Sequence, residues 1–133
     1  MPAGKYDIVW EQGTTIAKGF ILREPAPEGA PEGTFGPPVD LTGWTARMHI
    51  RTTLPNATIL HEFTTENGGI ELNADGEILI KATAEQSAAW NWPYPAKGNV
   101  RRAVYDLELV NPLGEVKRFL EGKVTLNLEV TRI

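Results

Sequence analysis

Apolar and polar residues alternate along most of this chain, most regularly in its last third. In the segment 124–130 every second residue is apolar, and 104–109 shows the same period. A period of two is the signature of a strand with one buried face. The Asn-Pro-Leu-Gly sequence at 111–114 has the chemistry of a tight turn, because proline presets φ and glycine accepts positive φ. The region 102–131 therefore predicts three strands joined by two tight turns, the last strand being 123–132.

Earlier segments show the same alternation and predict further strands. They are 6–11, 15–23, 44–51 and 58–63, followed by a short hairpin of 69–73 with 77–82. Asn67-Gly68-Gly69, just before that hairpin, is typical of a primed turn, whose central residues have positive φ. Thr83 with Gln86 three residues later fits a capping box. It predicts a short helix over 84–90, ended by the prolines that follow.

One stretch, 25–38, has no alternation. It contains Ala-Pro-Glu-Gly twice in tandem, at 26–29 and 30–33. Proline removes backbone donors and glycine raises the entropic cost of ordering, so the stretch predicts a loop inserted between strands. Long loops of this kind are often functional. Two interpretations stay open: a tolerated surface insertion, and a docking loop that Phe35 anchors.

Short strands separated by frequent turn signals predict the fold class. About eight or nine strands and one short helix indicate an all-β fold, an antiparallel β-sandwich of immunoglobulin-like or Greek-key type. The sequence offers no helices for the crossovers of a parallel sheet. We expect a single domain over 1–133, with 25–38 as the inserted loop.

The composition removes several classes of function. The chain has 133 residues, no cysteine and a formal net charge of −4. Without cysteine it has no disulfide, no thiolate nucleophile and no cysteine-ligated metal. The negative charge argues against a nucleic-acid partner, which needs a basic surface. No apolar run approaches the roughly 20 residues of a spanning helix, and the N-terminus lacks the features of a signal peptide. We therefore expect no membrane partner and synthesis in the cytoplasm.

Side chains capable of catalysis are present, but their spacing in the sequence matches no catalytic or metal-binding motif. His49 and His61 lie in predicted strands without a second ligand at metal spacing, so each is expected to be satisfied by a neighbour. Ser87 lies in the predicted helix, outside any nucleophile elbow. Asp106 and Glu108 share a strand face about 7 Å apart, which overlaps the spacing of inverting glycosidases. Any strand with a polar face carries such pairs, so we expect no enzyme, metal, cofactor or small-molecule substrate.

Aromatic residues are further candidates for a contact surface. Trp90, Trp92 and Tyr94 lie close together beside prolines. They have two interpretations: they cap the core, or they form an exposed platform of the kind that binds carbohydrate. Trp10 is in phase with core positions of the first predicted strand.

A series of short β-sheet motifs runs from residue 12 to residue 132. In order they are Gln12-Gly13-Thr14-Thr15-Ile16, the segment 39–51, the hairpin of 69–72 with 76–80, the helical turn led by Thr83, the strand 105–109 and the closing segment 122–132. This series resembles a group of small bacteriophage and prophage virion proteins. They are of the type seen in the N-terminal domain of siphophage baseplate upper proteins.

The resemblance implies a β-sandwich that is a non-enzymatic building block of the phage particle, at the tail, baseplate or neck. Its partners would be other virion proteins and further copies of itself, and its location the virion after synthesis in the host cytoplasm. The loop 25–38 departs from the compact pattern, and no coiled coil of the kind found in a full baseplate upper protein follows. A capsid decoration (cement) protein that binds the assembled head therefore stays open as an alternative, with a carbohydrate-binding module as a third.

Strand edges are the expected means of assembly, because an exposed edge joins a neighbour's sheet through backbone hydrogen bonds. Termini often lie at sheet edges, so the candidates are the first strand, with Tyr6, Ile8 and Trp10, and the last strand, 123–132. We expect deletion of 1–11 to abolish assembly and to leave a folded monomer.

Overall fold

The computed structural model describes residues 3–52, 58–93 and 96–129, with side chains at all of them except 96 and 97. The elements in these ranges are β1 (Gly4–Lys5), β2 (Ile8–Glu11), β3 (Ile16–Ile21), β4 (Thr45–Arg51), β5 (Ile59–Thr64), β6 (Ile70–Leu72), β7 (Glu77–Ala82), α1 (Ala84–Ala88), β8 (Ala96–Lys97), β9 (Val100–Val110) and β10 (Val116–Asn127). Eight of these strands have three or more residues, in line with the predicted number.

The strands form two sheets that share one apolar core. The larger sheet has seven strands in the order β1-β10-β9-β4-β5, with β2 also paired to β10 and β8 also paired to β9. The smaller sheet has the order β3-β7-β6. In β4 the alternation works as predicted: Ala46, Met48 and Ile50 are buried, and Arg47 lies on the exposed face. The predicted all-β, sandwich-like fold is confirmed.

The N-terminal strands depart from the predicted antiparallel pattern. Both β1 and β2 run parallel to β10, with Gly4 opposite Leu120 and Ile8 opposite Val124. The other pairings of described strands are antiparallel. A hairpin forces antiparallel pairing, but β2 leaves through a short turn at 12–15 directly into the other sheet, so no hairpin sets its direction.

The last third contains two long strands and one turn, so the second predicted turn is wrong. Gly122 lies inside β10, where an added Cβ would stand 2.2 Å from the backbone oxygen of Tyr6. Glycine inside a strand often marks a close approach of another backbone. Here it lets the N-terminal segment lie close against β10 between the pairings of β1 and β2.

β10 is also not the sheet edge that was predicted for 123–132. It pairs with β9 on one side and with β1 and β2 on the other. Val130 and the residues after it lie outside the described residues. Of the two predicted edges, only that of the N-terminal strand is an edge in the part of the chain that the structure describes.

The Asn-Gly sequence does not form the predicted primed hairpin turn. β5 and β6, which flank it, belong to different sheets. Among the described residues every positive φ belongs to a glycine, Gly68 at 81° included, so Asn67 lacks the conformation that a primed turn of type I′ needs. The hairpin of β6 with β7 is confirmed. So is the capping box of α1, in which Thr83 and Gln86 cap each other's backbone, although α1 ends at Ala88.

Candidate interaction surfaces

The tryptophans closest to α1 belong to the core. Trp90 is 6% exposed and Trp92 is 2% exposed, and their rings stack at 5.9 Å. Trp90 also packs against Trp10 at 5.5 Å. Burial therefore supports the core-capping interpretation and leaves no Trp90–Trp92 platform on the surface of this chain. Tyr94 lies outside the described residues. Neither indole N–H has a hydrogen-bond partner among the described residues, an arrangement that typically costs about 1–3 kcal/mol per group.

The candidate catalytic carboxylates are held in ion pairs on the outer face of the large sheet. Glu108 accepts from Nε of Arg47 at 2.8 Å, and Asp106 lies 3.6 Å from Nε of Arg118. These pairs link neighbouring strands, and such exposed pairs contribute little to stability. Among residues 3–52, 58–93 and 96–129, no group of three or more His, Asp or Glu side chains is arranged to hold a metal.

His49 and Ser87 have structural partners as well. Nε2 of His49 lies 2.6 Å from Glu62 and its Nδ1 lies 3.2 Å from Arg51. Because Arg51 is always a donor, Nδ1 accepts and Nε2 donates to the carboxylate. The hydroxyl of Ser87 is buried and donates to the carbonyl oxygen of Thr14 at 2.7 Å. The expectation that His49 is satisfied by a neighbour is confirmed.

β2 presents a free backbone edge. Backbone N–H groups of Tyr6 and Gln12 donate to β10 at 3.0 Å and 2.9 Å. Alternate residues of a parallel strand point their backbone groups to opposite sides, so those of Val9 point away from β10. The structure gives them no hydrogen bond to a described residue, and the Val9 side chain is 63% exposed.

A groove of about 450 Å³ separates the free edge of β2 from β3, lined by residues of 6–11 and 14–18. Lys18 is half-buried here, on the same face of β3 as the buried Ile16. Its ammonium lies 4.7 Å from the ring centroid of Tyr6 and 5.6 Å from that of Phe20. The two rings meet edge to face at 5.3 Å. An inward-pointing charge on an edge strand is a device that opposes unwanted strand pairing.

β5 forms the opposite edge of the large sheet, and Asn67 covers part of it. Oδ1 of Asn67 accepts from the N–H of Thr64 at 2.9 Å, and Nδ2 donates to the carbonyl oxygen of Glu62 at 3.0 Å. Both backbone groups point away from β4. The N–H of Glu62 points the same way as its C=O, whereas the register with β4 shifts at Leu60, because Ile50 faces His61 and Arg51 faces Ile59.

A pocket of about 550 Å³ opens beside this edge, between β5, the start of β3 and the N-terminal end of α1. His61 lines it, with its ring against Phe63 at 4.4 Å and Trp90 at 5.1 Å. Burial lowers the pKa of His61 below its usual value, and the Glu62 carboxylate opposes that shift only in part. No hydrogen bond to a described residue reaches either ring nitrogen, so the expectation that a neighbour satisfies His61 is wrong.

The two Ala-Pro-Glu-Gly copies in the loop 25–38 form the same hydrogen-bonded turn. In each copy the backbone N–H of the residue after Gly donates to the carbonyl oxygen of the Pro, at 3.0 Å for Ala30 and 3.1 Å for Thr34. Phe35 follows, 79% exposed. The guanidinium of Arg23 lies 5.5 Å from its ring centroid and donates to the carbonyl oxygen of Gly36 at 3.1 Å. The loop therefore presents a large aromatic side chain in a defined position.

The residues predicted to contact partners separate into two groups. Ile8, Trp10, Trp90 and Trp92 are buried, whereas Phe35 and Tyr6, 39% exposed, reach the surface. Sequence reasoning missed Val9 and Asn67. Alternation marks Val9 as outward-facing, and asparagine before glycine marks backbone capping, but neither signal shows which strand lies at an edge.

Comparison with known proteins adds no further residues. No protein-family model matches the chain, and no curated protein matches its sequence. Within the described ranges, no helix has the length and apolar character needed to cross a membrane.

Proposed function

We propose that this chain is a non-enzymatic structural protein of a bacteriophage particle, which assembles with copies of itself and other virion proteins at the tail, baseplate or neck. The free backbone edge of β2 is the observation that carries the proposal. The sequence motifs that resemble virion proteins supply the biological setting.

Backbone pairing at β2 is suited to repeated assembly. The strand is fixed on the rigid β10, so its outward N–H and C=O groups are already in position and little entropy is lost on pairing. A strand from a neighbour forms hydrogen bonds of about 0.5–1.5 kcal/mol each. One such edge per subunit gives every copy the same contact, which is how symmetric particles are built.

Deletion of 1–11 is not the right test of this edge. Ile8 and Trp10 belong to the core, and the deletion would remove both. Substitution of Val9 by proline is sharper, because its N–H points away from β10 and proline is tolerated on edge strands. Val9→Thr, which keeps the N–H, is the matched control.

The experiment compares incorporation of the two variants into particles made by the host. Mass spectrometry of purified particles should detect wild type and Val9→Thr, with Val9→Pro strongly reduced although its circular dichroism spectrum is native. Equal incorporation of both variants would exclude β2 as the assembly edge. A chain that never copurifies with particles would refute the virion role itself.

The alternatives differ in where the protein would be found. A decoration protein would label heads, and the proposed role requires label on tails or necks, which electron microscopy of tagged particles separates. A carbohydrate-binding module would need another surface than Trp90 and Trp92, because both rings are buried.

A further inference from the structure

The chain carries an acidic loop before the start of β4 and a basic patch at the end of β4. The acidic loop is 25–38 together with Glu24, and the basic patch consists of outward side chains of β4, β9 and β10. We propose that these two surfaces bind each other between copies of the chain, with Phe35 of one copy seated on the basic patch of the next. The contact deepens the proposed function by adding a second contact between copies, and it does not use the free edge of β2.

Two turns fix the acidic side of the loop. The glycine of each Ala-Pro-Glu-Gly copy has a positive φ, 81° at Gly29 and 86° at Gly33, and the hydrogen bond that closes each copy makes it a type II turn. Glu28 and Glu32 precede these glycines and therefore occupy the same corner of successive turns. Both are exposed, as is Glu24, and none of the three carboxylates forms an ion pair with a described residue.

The basic patch follows from the registers of three strands. Arg51 in β4 pairs with Val104 in β9, and Val104 pairs with Lys123 in β10 on its other side. Residues paired across a sheet share a face, and each of the three adjoins a buried residue of its own strand, so they point outward. Arg102 lies on the same face of β9, about 7 Å along the strand from Val104. Three cations thus surround one exposed apolar side chain.

A depression of about 350 Å³ lies over the basic patch. Its two carboxylates already have partners, since Glu121 accepts from Lys5 at 2.7 Å and Asp106 lies 3.6 Å from Nε of Arg118. Neither Arg102 nor the lysine of the patch forms an ion pair with a described residue. The volume lies within the range of pockets that hold small organic groups. The patch therefore combines positive charge with a recess that admits an aromatic ring.

The acidic loop and the basic patch match in charge and in shape. The loop offers three negative charges beside the exposed ring of Phe35, and the patch offers three positive charges around the recess at Val104. A buried aromatic ring surrounded by polar contacts is the arrangement in which one side chain contributes most to binding. The complementary charges favour this orientation and oppose others.

The position of the two surfaces makes the contact one between copies. The seven residues of β4 span about 20 Å, with Arg51 as the last of them and the loop before the first. The guanidinium of Arg23 contacts the ring of Phe35 and holds it at the loop end. The ring therefore reaches the patch of another copy and not its own. A contact between two different surfaces of identical chains repeats into a ring or an open filament.

The test is sedimentation velocity of the full chain at two salt concentrations. Salt screens exposed ion pairs, so we expect the wild type to self-associate at about 0.02 M salt and to be monomeric at about 0.5 M. Phe35→Ala removes the ring that enters the recess and should weaken self-association roughly tenfold or more.

Charge reversal identifies the two surfaces. The loop variant, Glu28→Lys with Glu32→Lys, and the patch variant, Arg102→Glu with Lys123→Glu, should each be monomeric at low salt, because like charges then meet. An equimolar mixture of the two should associate again. The reversed loop of one variant fits the reversed patch of the other, and the unchanged surfaces fit each other.

Two controls separate this contact from other effects. Glu66→Lys with Glu85→Lys changes the net charge as much as the loop variant does, at exposed positions elsewhere, and should associate like the wild type. Val9→Pro should also associate like the wild type, because the contact does not use β2. Incorporation into particles measures the β2 contact, so failure of one contact is distinguishable from failure of the other.

Four results would overturn the proposal. They are a wild-type chain that is monomeric at low salt, equal association of the loop variant and its charge-matched control, a mixture of the two reversed variants that does not associate, and binding of poly-glutamate to the patch without self-association. The last result would assign the patch to an acidic partner other than a second copy.

Discussion

The two edges of the large sheet differ in how much backbone they expose and in how that backbone is protected. At β2 the outward groups of Val9 are uncovered, and the neighbouring groove holds the inward ammonium of Lys18. At β5 the amide of Asn67 covers part of the backbone, and an apolar pocket stays open. A charge restricts what can enter a groove, whereas a cap restricts the register in which a strand can add. We therefore expect β2 to accept a strand from a neighbouring subunit more readily than β5, where the Asn67 side chain occupies part of the backbone.

The largest expected effect is on stability, and it distinguishes a ring in the pocket wall, Phe63, from a ring on the exposed loop, Phe35. Phe63→Ala removes a buried ring of β5 that packs against Trp10 and Trp90, and should lower the free energy of unfolding by about 3–5 kcal/mol. Phe35→Ala removes an equally large ring that is 79% exposed and should change it by less than about 0.5 kcal/mol. Urea denaturation measures both. Similar losses in the two variants would contradict the assignment of Phe63 to the core.

The next effect concerns the close approach of the N-terminal segment to β10. A Cβ at Gly122 would lie 2.2 Å from the Tyr6 oxygen, so Gly122→Ala should cost about 1–3 kcal/mol. Gly19→Ala in β3, where an added Cβ meets nothing within 4 Å, should be neutral or stabilise by up to about 1 kcal/mol. Equal stability of the two variants in urea would show that the N-terminal segment does not pack on β10 as described.

A smaller effect tests the role of the Lys18 charge in the groove between β2 and β3. Lys18→Ala removes the contact with Tyr6 and should cost about 0.5–1 kcal/mol. It should also increase self-association, seen by analytical ultracentrifugation, because an inward charge no longer opposes pairing of β3. Lys117→Ala, at an exposed position of β10, removes the same charge elsewhere. If both variants associate alike, net charge and not the position of Lys18 controls pairing.

The smallest effect is a dependence of stability on pH, caused by His61 in β5. Burial lowers the pKa of His61 below the ordinary 6.5, so the unfolded chain binds the proton first as pH falls. Stability should therefore decrease as pH drops through about 6.5 and lose this dependence above it. His61→Gln should reduce the difference between urea midpoints at pH 8 and pH 5.5. An unchanged difference would show that His61 is not the group responsible.

Alternation was sufficient to predict the core of the sandwich, because inward residues such as Met48 and Leu107 are fixed by the strand period alone. The capping box at Thr83 could be predicted equally well, because it involves only residues close together in the sequence. The role of Gly122 could not be predicted, since a glycine needed for close approach resembles a turn glycine until the neighbouring segment is known. Asn67 was misassigned because its side chain, and not its φ, does the capping.

The edges themselves could not be predicted from the chain alone. Which strand ends a sheet depends on long-range pairing, and β2 pairs with a strand more than 100 residues later in the sequence. The burial of the aromatic candidates could not be predicted from the sequence either. Trp92 and Phe35 have similar polar and proline-rich surroundings in the sequence, and only packing makes one buried and the other exposed.

Amide hydrogen exchange of purified particles tests the central claim most directly, since it compares the free and assembled chain residue by residue. The Val9 amide should exchange rapidly in the free chain and become strongly protected after assembly, because its N–H then pairs with a neighbouring subunit. Rapid exchange at Val9 in the assembled particle would contradict assembly through β2.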